Sequence, residues 1–131
     1  MISIYFNERG YFIDSPIGQS KFTYDLPKEI EDNAVALYSF RWMVFSHAME
    51  AITNLFGDAL QGEELILYSD SRLIEELMGD IVPDNYYAKS SQQYFITHDM
   101  PRYRRVRFEK CSATSIDSKI NELCSVATRS R

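Results

Sequence analysis

The sequence predicts an α/β protein in which helices flank a mixed β-sheet. Three short β-like segments come first, within residues 2–26. A long segment with helical periodicity follows at Ala34–Phe56, and then a continuous apolar run, LILYS, at residues 65–69. Successive strands followed by strands that alternate with helices favour one mixed sheet covered by helices. The predicted order is β-β-β-α-β-α-α-β-α, with three antiparallel strands first and five strands in all.

The first three strands are predicted from short segments that are rich in β-forming residues. They read ISIYF, YFID and SKFTYDL, and the first and third alternate apolar with polar residues. ERG is a plausible turn after the first segment, and SPIG closes the second. We therefore expect an antiparallel meander.

The main helix is predicted over residues 34–56, with Asp32 or Asn33 as its N-cap. Two apolar stripes run along it at a spacing of three to four residues, which indicates burial on more than one face. One stripe is expected to cover the sheet. The other suits either a wholly internal helix or contact with a protein partner, including a homodimer formed through residues 34–56.

The second half of the chain predicts two further strands and three helices. LILYS has the continuous apolar character of a central strand that is buried on both faces. A short helix is expected at Ser71–Met78, capped by Asp70 or Ser71, and another helix within residues 83–100. RRVRFEKCS alternates Val106 and Phe108 with basic residues, as a strand with one basic face does. The last helix is predicted over residues 115–127.

Composition limits the classes of protein that fit. With 131 residues, 45% of them hydrophobic, the chain is expected to form one domain over residues 1–131. It has no apolar run near the ~20 residues of a membrane span and no signal-peptide pattern, so we expect an intracellular, cytoplasmic protein without membrane contact. Phosphate-loop, dinucleotide-binding and serine-hydrolase motifs do not occur. Cys111 and Cys124 are interpreted as reduced thiols.

Charge is distributed unevenly along the chain. Residues 1–97 carry 6 Lys+Arg and 15 Asp+Glu, whereas residues 98–131 carry 8 and 4. The basic quarter suggests a surface that neutralises nucleic-acid phosphates, with one tyrosine available to stack on a base. An edge strand that its charges protect from aggregation would give the same pattern. The candidate nucleic-acid-binding residues are Arg102, Tyr103, Arg104, Arg105, Arg107 and Lys110.

Two stretches resemble the ribonuclease H-like superfamily. LYSDSRLIEELMG is similar to that family's fourth strand and following helix, and VRFEKCSATSIDSKINELC is similar to the end of such domains. The resemblance implies a ribonuclease H-like fold. It also implies an RNA-cleaving site in which about four carboxylates hold two Mg²⁺ ions. In that family the acids come from the first strand, the long helix, the fourth strand and the last helix.

Each of these four positions can be located in this chain by the resemblance. The fourth strand supplies Asp70, the candidate metal ligand, whereas Asn7 and Asn121 stand where the first strand and last helix should supply acids. The early turns of the long helix lack an acid, and its only carboxylate is Glu50. With a shifted alignment, the acids would be Asp70 together with Glu8, Glu50 or Asp117. Asp70 also suits the role of helix N-cap, and the same residue could be both the N-cap and a metal ligand.

Three functions follow as alternatives. The two asparagines favour a non-catalytic ribonuclease H-like domain that binds nucleic acid (RNA, DNA or a hybrid) or acts as a scaffold, with a degraded metal site and no cofactor. A shifted alignment favours an active Mg²⁺- or Mn²⁺-dependent nuclease. The acidic first 97 residues and the two-faced helix favour a protein-interaction module without a nucleic-acid role.

Overall fold

The computed structural model describes residues 1–70, 73–79, 83 and 85–121. Its five strands form one mixed sheet in the order β3-β2-β1-β4-β5. β1 pairs antiparallel with β2, and β2 with β3, while β1–β4 and β4–β5 are parallel pairs. The predicted fold class and element order are therefore confirmed. The strands are β1 (Ile2–Asn7), β2 (Gly10–Ser15), β3 (Gly18–Thr23), β4 (Glu64–Ser69) and β5 (Arg105–Lys110).

The α-helices agree with the predicted order, with one addition. They are α1 (Lys28–Glu31), α2 (Ala34–Phe56), α3 (Leu73–Leu77), α4 (Tyr86–Tyr94) and α5 (Ala113–Asn121). The sequence pattern did not predict α1, which is a single turn. The helix expected within residues 83–100 is α4 continued by a π-helix at Phe95–Asp99. The predicted cap at residue 71, and the part of the last helix beyond residue 121 with Cys124, lie outside the described residues.

The long helix has the predicted bounds because its start is capped and its end meets a glycine. The side chain of Asn33 accepts hydrogen bonds from the backbone N–H groups of Val35 and Ala36, each at 3.1 Å. Such a cap stabilises a helix start by about 1 kcal/mol. Gly57 follows the last helical residue with a φ of +54°, a conformation that suits glycine.

The middle of each apolar stripe of α2 is buried within the chain, whereas Leu55 near the end of the helix is 58% exposed. Val44 and Ala48 are fully buried and belong to a core cluster that also contains Ile4 and Leu67 of the central strands. On another side, the ring of Phe45 packs edge-on against Phe95 of the π-helix, with ring centroids 5.1 Å apart. The second stripe thus has an internal explanation, and a homodimer through residues 34–56 stays a prediction.

The sheet brings the ends of β1 and β4 to one edge. β1 and β4 are parallel neighbours in which Phe6 pairs with Ser69, so the following residues, Asn7 and Asp70, leave the sheet side by side. The hydroxyl of Ser69 donates to the carbonyl of Phe6 at 2.7 Å, and the N–H of Cys111 donates to the carbonyl of Ser69 at 3.1 Å. These bonds fix the strand ends relative to one another.

No helix within the described ranges is both long and apolar enough to cross a membrane.

The tight β1–β2 connection predicts a position-specific effect of glycine substitution. A Cβ at Gly10 would lie 2.2 Å from the carbonyl oxygen of Phe22 on β3, whereas a Cβ at Gly18 would approach the Phe56 ring no closer than 3.5 Å. Both glycines have nearly the same φ, +155° and +157°. Gly10→Ala should therefore lower the free energy of unfolding by at least ~2 kcal/mol, and Gly18→Ala by about 1 kcal/mol. Urea denaturation measures both, and equal losses would contradict the close approach of β2 to β3 at Gly10.

Candidate functional site

Four elements converge at the edge where β1 and β4 end. Asn7 is the last residue of β1, and Glu8 and Arg9 form the turn that follows. Asp70 follows β4, α2 contributes Arg41, and α5 contributes Asp117. We refer to these six residues as the edge cluster. Asn7 and Glu8 are buried, so their interactions with the other members take place with little water.

Asn7 is held on both sides of its amide. Its Nδ2 donates to Oδ1 of Asp117 at 2.7 Å, and its Oδ1 accepts from the backbone N–H of Arg9 at 2.8 Å. The first bond requires an N–H donor, which an ionised aspartate lacks. An aspartate at this position would face the carboxylate of Asp117 at hydrogen-bonding distance, and the two like charges would repel.

Arg9 binds Asp117 through a two-point contact. Its Nε donates to Oδ1 at 3.0 Å and a terminal nitrogen donates to Oδ2 at 2.7 Å. Partial burial alone would raise the pKa of Asp117, but the hydrogen bonds from Arg9 and then Asn7 outweigh burial and hold that pKa below its usual range. Asp117 is therefore ionised and already paired at neutral pH.

Arg41 forms a second, looser pair with Glu8. Its Nε and one terminal nitrogen lie 3.3 and 3.4 Å from the two carboxylate oxygens. Arg9 adds a more distant contact to Glu8 at 3.8 Å. Because Glu8 is only 8% exposed, its charge needs these partners: an unpaired carboxylate in that position would be strongly destabilising.

Asp70 is the member of the edge cluster with the poorest set of partners. Its Oδ1 is buried and has no hydrogen-bond partner among the described residues. Burial, and then the negative charge of Glu8, raise its pKa, while the charge of Arg41 opposes that shift. Within the described part of the chain, the carboxylate thus projects into the edge cluster without a cation of its own.

The charges and geometry of the edge cluster do not suit a pair of divalent cations. Its three carboxylates face two guanidinium groups, which leaves about one unit of negative charge where two dications would need about four. Within residues 1–70, 73–79, 83 and 85–121, no three histidine, cysteine, aspartate or glutamate side chains are arranged as metal ligands. The described residues of the edge cluster therefore do not fit the metal pair that the resemblance implies.

The candidate site residues divide between this edge and other places. Asn7, Asp70 and Asp117 lie together in the edge cluster, a combination of the two alignments considered above. Asn121 is exposed at the end of α5, one helical turn beyond Asp117. Glu50 is exposed on α2, nine residues and roughly 13 Å along the helix axis from Arg41.

Sequence reasoning missed the two arginines of the edge cluster. The position of Arg9 in the predicted turn gave no sign of a partner. Arg41 carried a signal, since it is the only lysine or arginine in α2 and stands between Phe40 and Trp42 in an otherwise apolar stretch. A buried or half-buried arginine in such a helix indicates a carboxylate partner.

The basic residues predicted to bind nucleic acid differ in their exposure and in their side-chain partners. Arg105 and Arg107 are exposed on the same face of β5, the edge strand of the sheet, and Arg104 is exposed beside Glu64. Lys110 pairs with Glu75 at 3.1 Å, and Arg102 donates to Thr53 at 2.8 Å.

Tyr103 has an environment unlike that of a base-stacking tyrosine. It is half-buried and packs against the core cluster. Burial raises its pKa to about 12. Of the six predicted residues, the exposed Arg104, Arg105 and Arg107 are those best placed to meet a large partner.

Comparison with known proteins identifies the fold. No protein-family model matches the chain, and no curated protein matches it by sequence. Among solved structures, RNase H1 of Halobacterium salinarum NRC-1 matches with a TM-score of 0.61 and 11% identity, covering 99% of this chain and 98% of that one. LC11-RNase H1, solved in complex with an RNA/DNA hybrid, matches with a TM-score of 0.65 and 17% identity over 98% and 99%.

A third solved structure extends the same likeness. The N-terminal RNase H domain of a Mycobacterium tuberculosis protein, solved as a fusion with maltose-binding protein, gives a TM-score of 0.52 and 12% identity over 82% and 78% of the two chains. At these identities the comparisons show the fold alone. The chain has a ribonuclease H-like fold, as its resemblance predicted.

The environment of Asp70 predicts that a neutral replacement stabilises the protein. A raised pKa means that ionised Asp70 is less favourable in the folded than in the unfolded chain, so the penalty is present at pH 7 and disappears below the ordinary aspartate pKa of about 4. Asp70→Asn should raise the free energy of unfolding at pH 7 by up to ~1 kcal/mol, with the gain vanishing near pH 3.5. Urea denaturation at the two pH values measures this, with the exposed Asp25→Asn as control. A loss of stability at pH 7 would show that the Asp70 carboxylate has a favourable partner.

Proposed function

We propose that this chain is a non-catalytic ribonuclease H-like domain that serves as a nucleic-acid-binding or scaffold protein. The observation that carries the proposal is the pairing of Arg9 with Asp117 and of Arg41 with Glu8 in the edge cluster. Two side-chain cations neutralise two of the three acids there without a metal ion, which leaves only the charge of Asp70, and the shape of the domain is retained.

A guanidinium group can neutralise one carboxylate but cannot supply the chemistry of a metal ion. Two-metal sites bind the attacking and the leaving oxygen of an in-line displacement and lower the pKa of bound water. Mg²⁺ does so with near-octahedral oxygen ligands at about 2.0–2.1 Å. Arginine has only N–H donors and no open coordination position. The edge cluster therefore lacks the groups that would generate a nucleophile from water.

Asn7 supports the same proposal independently of the arginines. Its amide donates to Asp117 at 2.7 Å, a bond that an aspartate could imitate only when protonated or when a cation lies between the two carboxylates. Asparagine is thus the residue that suits an edge cluster free of divalent metal.

Nucleic-acid binding is supported by the fold and by the exposed basic side chains. One structural neighbour, LC11-RNase H1, was solved with an RNA/DNA hybrid. In this chain Arg104, Arg105 and Arg107 are exposed at one edge of the sheet, where a phosphate backbone could contact them.

The alternative function is an active Mg²⁺- or Mn²⁺-dependent nuclease. The observation that favours it is that Glu8, Asp70 and Asp117 lie in one cluster, with Oδ1 of Asp70 lacking a hydrogen-bond partner among the described residues. For this function both arginine pairs would have to open so that the three acids could turn towards metal ions.

Restoring the acids should create a metal site where the wild type has none. Asn7→Asp combined with Arg41→Glu places five carboxylates at the edge, so we expect Mn²⁺ to bind with a dissociation constant below ~1 mM in calorimetry, and the wild type to give no heat at that concentration. The variant Gln61→Glu/Lys28→Glu makes the same change in net charge at exposed positions and serves as control. Stoichiometric Mn²⁺ binding by the wild type would support the nuclease instead.

Nucleic-acid binding through the sheet edge should depend on salt through specific arginines. With an RNA/DNA hybrid, log affinity should fall linearly with log salt, and Arg105→Ala/Arg107→Ala should reduce the slope by up to about 2 because two phosphate contacts are lost. Fluorescence anisotropy over a range of salt concentrations measures the slope, with Lys28→Ala as control. An unchanged slope would remove this edge from the proposed binding surface.

A further inference from the structure

A groove separates the C-terminal half of α2 from α4 and the π-helix. Its volume is about 850 Å³, and none of the edge-cluster residues lines it. Ala88 and Phe95 of the second wall are buried and hold the two walls together. Between these contacts, Ser90 and Ser91 face the groove, and their small side chains leave the space open.

The lining combines tyrosine rings with two carboxylates. Tyr87 and Tyr94 line the groove and are 43% and 58% exposed. Glu50 of α2 and Asp99, the last residue of the π-helix, contribute the acids. π-helical turns are rare and occur often at functional sites. This turn brings Asp99 into the groove together with His98.

Asp99 has a desolvated carboxylate without an ion pair among the described residues. Burial raises its pKa to about 6, the charge of Glu50 adds to that effect, and the charges of Arg102 and His98 oppose it. Arg102 also lines the groove, where its guanidinium donates to Thr53 at 2.8 Å and lies 3.5 Å from Asp58. Neither Asp99 nor Glu50 forms an ion pair in the described part of the chain, and these two acids outnumber the one guanidinium in the lining, so the groove would attract a further cation.

We propose that this groove binds an arginine side chain of a partner protein, with Asp99 and Glu50 pairing the guanidinium group between Tyr87 and Tyr94. Arginine suits these groups better than lysine does, because its planar guanidinium can donate to two carboxylates and stack on a tyrosine ring at the same time. The groove lies towards the opposite end of α2 from Arg41, so this interaction is independent of the proposed function of the edge cluster.

Nuclear magnetic resonance with a short peptide tests the proposal. Titration with acetyl-Gly-Arg-Gly-amide should shift the backbone signals of Ser90, Ser91 and Asp99 in a saturable way. Acetyl-Gly-Lys-Gly-amide should bind more weakly, and acetyl-Gly-Glu-Gly-amide should not bind. Asp99→Asn should weaken the arginine peptide about tenfold, as expected for the loss of one charge-assisted hydrogen bond, whereas the exposed Asp25→Asn should leave it unchanged.

Two further measurements separate the groove from a general charge effect. The affinity for the arginine peptide should fall between pH 7.5 and pH 5 as Asp99 takes up a proton. Asp99→Asn should reduce that fall. The difference between the two proteins separates the effect of Asp99 from any contribution of Glu50, His98 and Arg102. Ser90→Trp should block binding by filling the space while keeping all charges. Shifts located at Glu8 and Asp117, equal binding of the three peptides, or full binding by the Asp99→Asn and Ser90→Trp variants would overturn the proposal.

Discussion

The pairing of arginines with buried acids at the ends of β1 and β4 constrains this whole edge of the sheet. Glu8 is almost fully buried and Asp117 is partly buried, and neither charge is tolerated there without a cation. Arg9 and Arg41 supply those cations from a turn and from the long helix, and Asn7 adds an N–H donor where a further carboxylate would repel Asp117. The charge or hydrogen-bonding group of each of these residues is satisfied by another of them, so the edge cluster is a connected network of side chains.

The fold and the chemistry of this domain rest on different parts of the chain. The sheet and α2 are held by apolar contacts among residues such as Ile4, Val44 and Leu67, none of which belongs to the edge cluster. Hydrophobic burial does not depend on which polar side chains project from the strand ends. A ribonuclease H-like fold can therefore persist while its edge changes from one charge arrangement to another. The proposed arginine-binding groove beside the far half of α2 is a second surface on the same scaffold.

The sequence predicted the elements whose signals are periodic and missed features that depend on contacts between distant residues. The bounds of α2 and the buried strand β4 were predictable because apolar spacing and an N-cap are local. Asp117, and not Asn121, is the residue of α5 that bonds to Asn7 in the edge cluster. These two residues are 110 positions apart, so no local sequence pattern shows this contact. The partners of Arg9 and Arg41 were hidden for the same reason, and the π-helix has no sequence signature. The pairs of Arg102 and Lys110 likewise became visible only in three dimensions.

The central claim is that arginines, not metal ions, balance the acids of the edge cluster, and a cleavage assay tests it most directly. Labelled RNA/DNA hybrid, double-stranded RNA and single strands would be incubated with the wild type and with Asp70→Asn, first in Mg²⁺ and then in Mn²⁺. We expect no cleavage of any substrate by either protein in either metal. Metal-dependent cleavage by the wild type that is lost in Asp70→Asn would contradict the claim, because the arginine pairs would then have to open to form a working nuclease site.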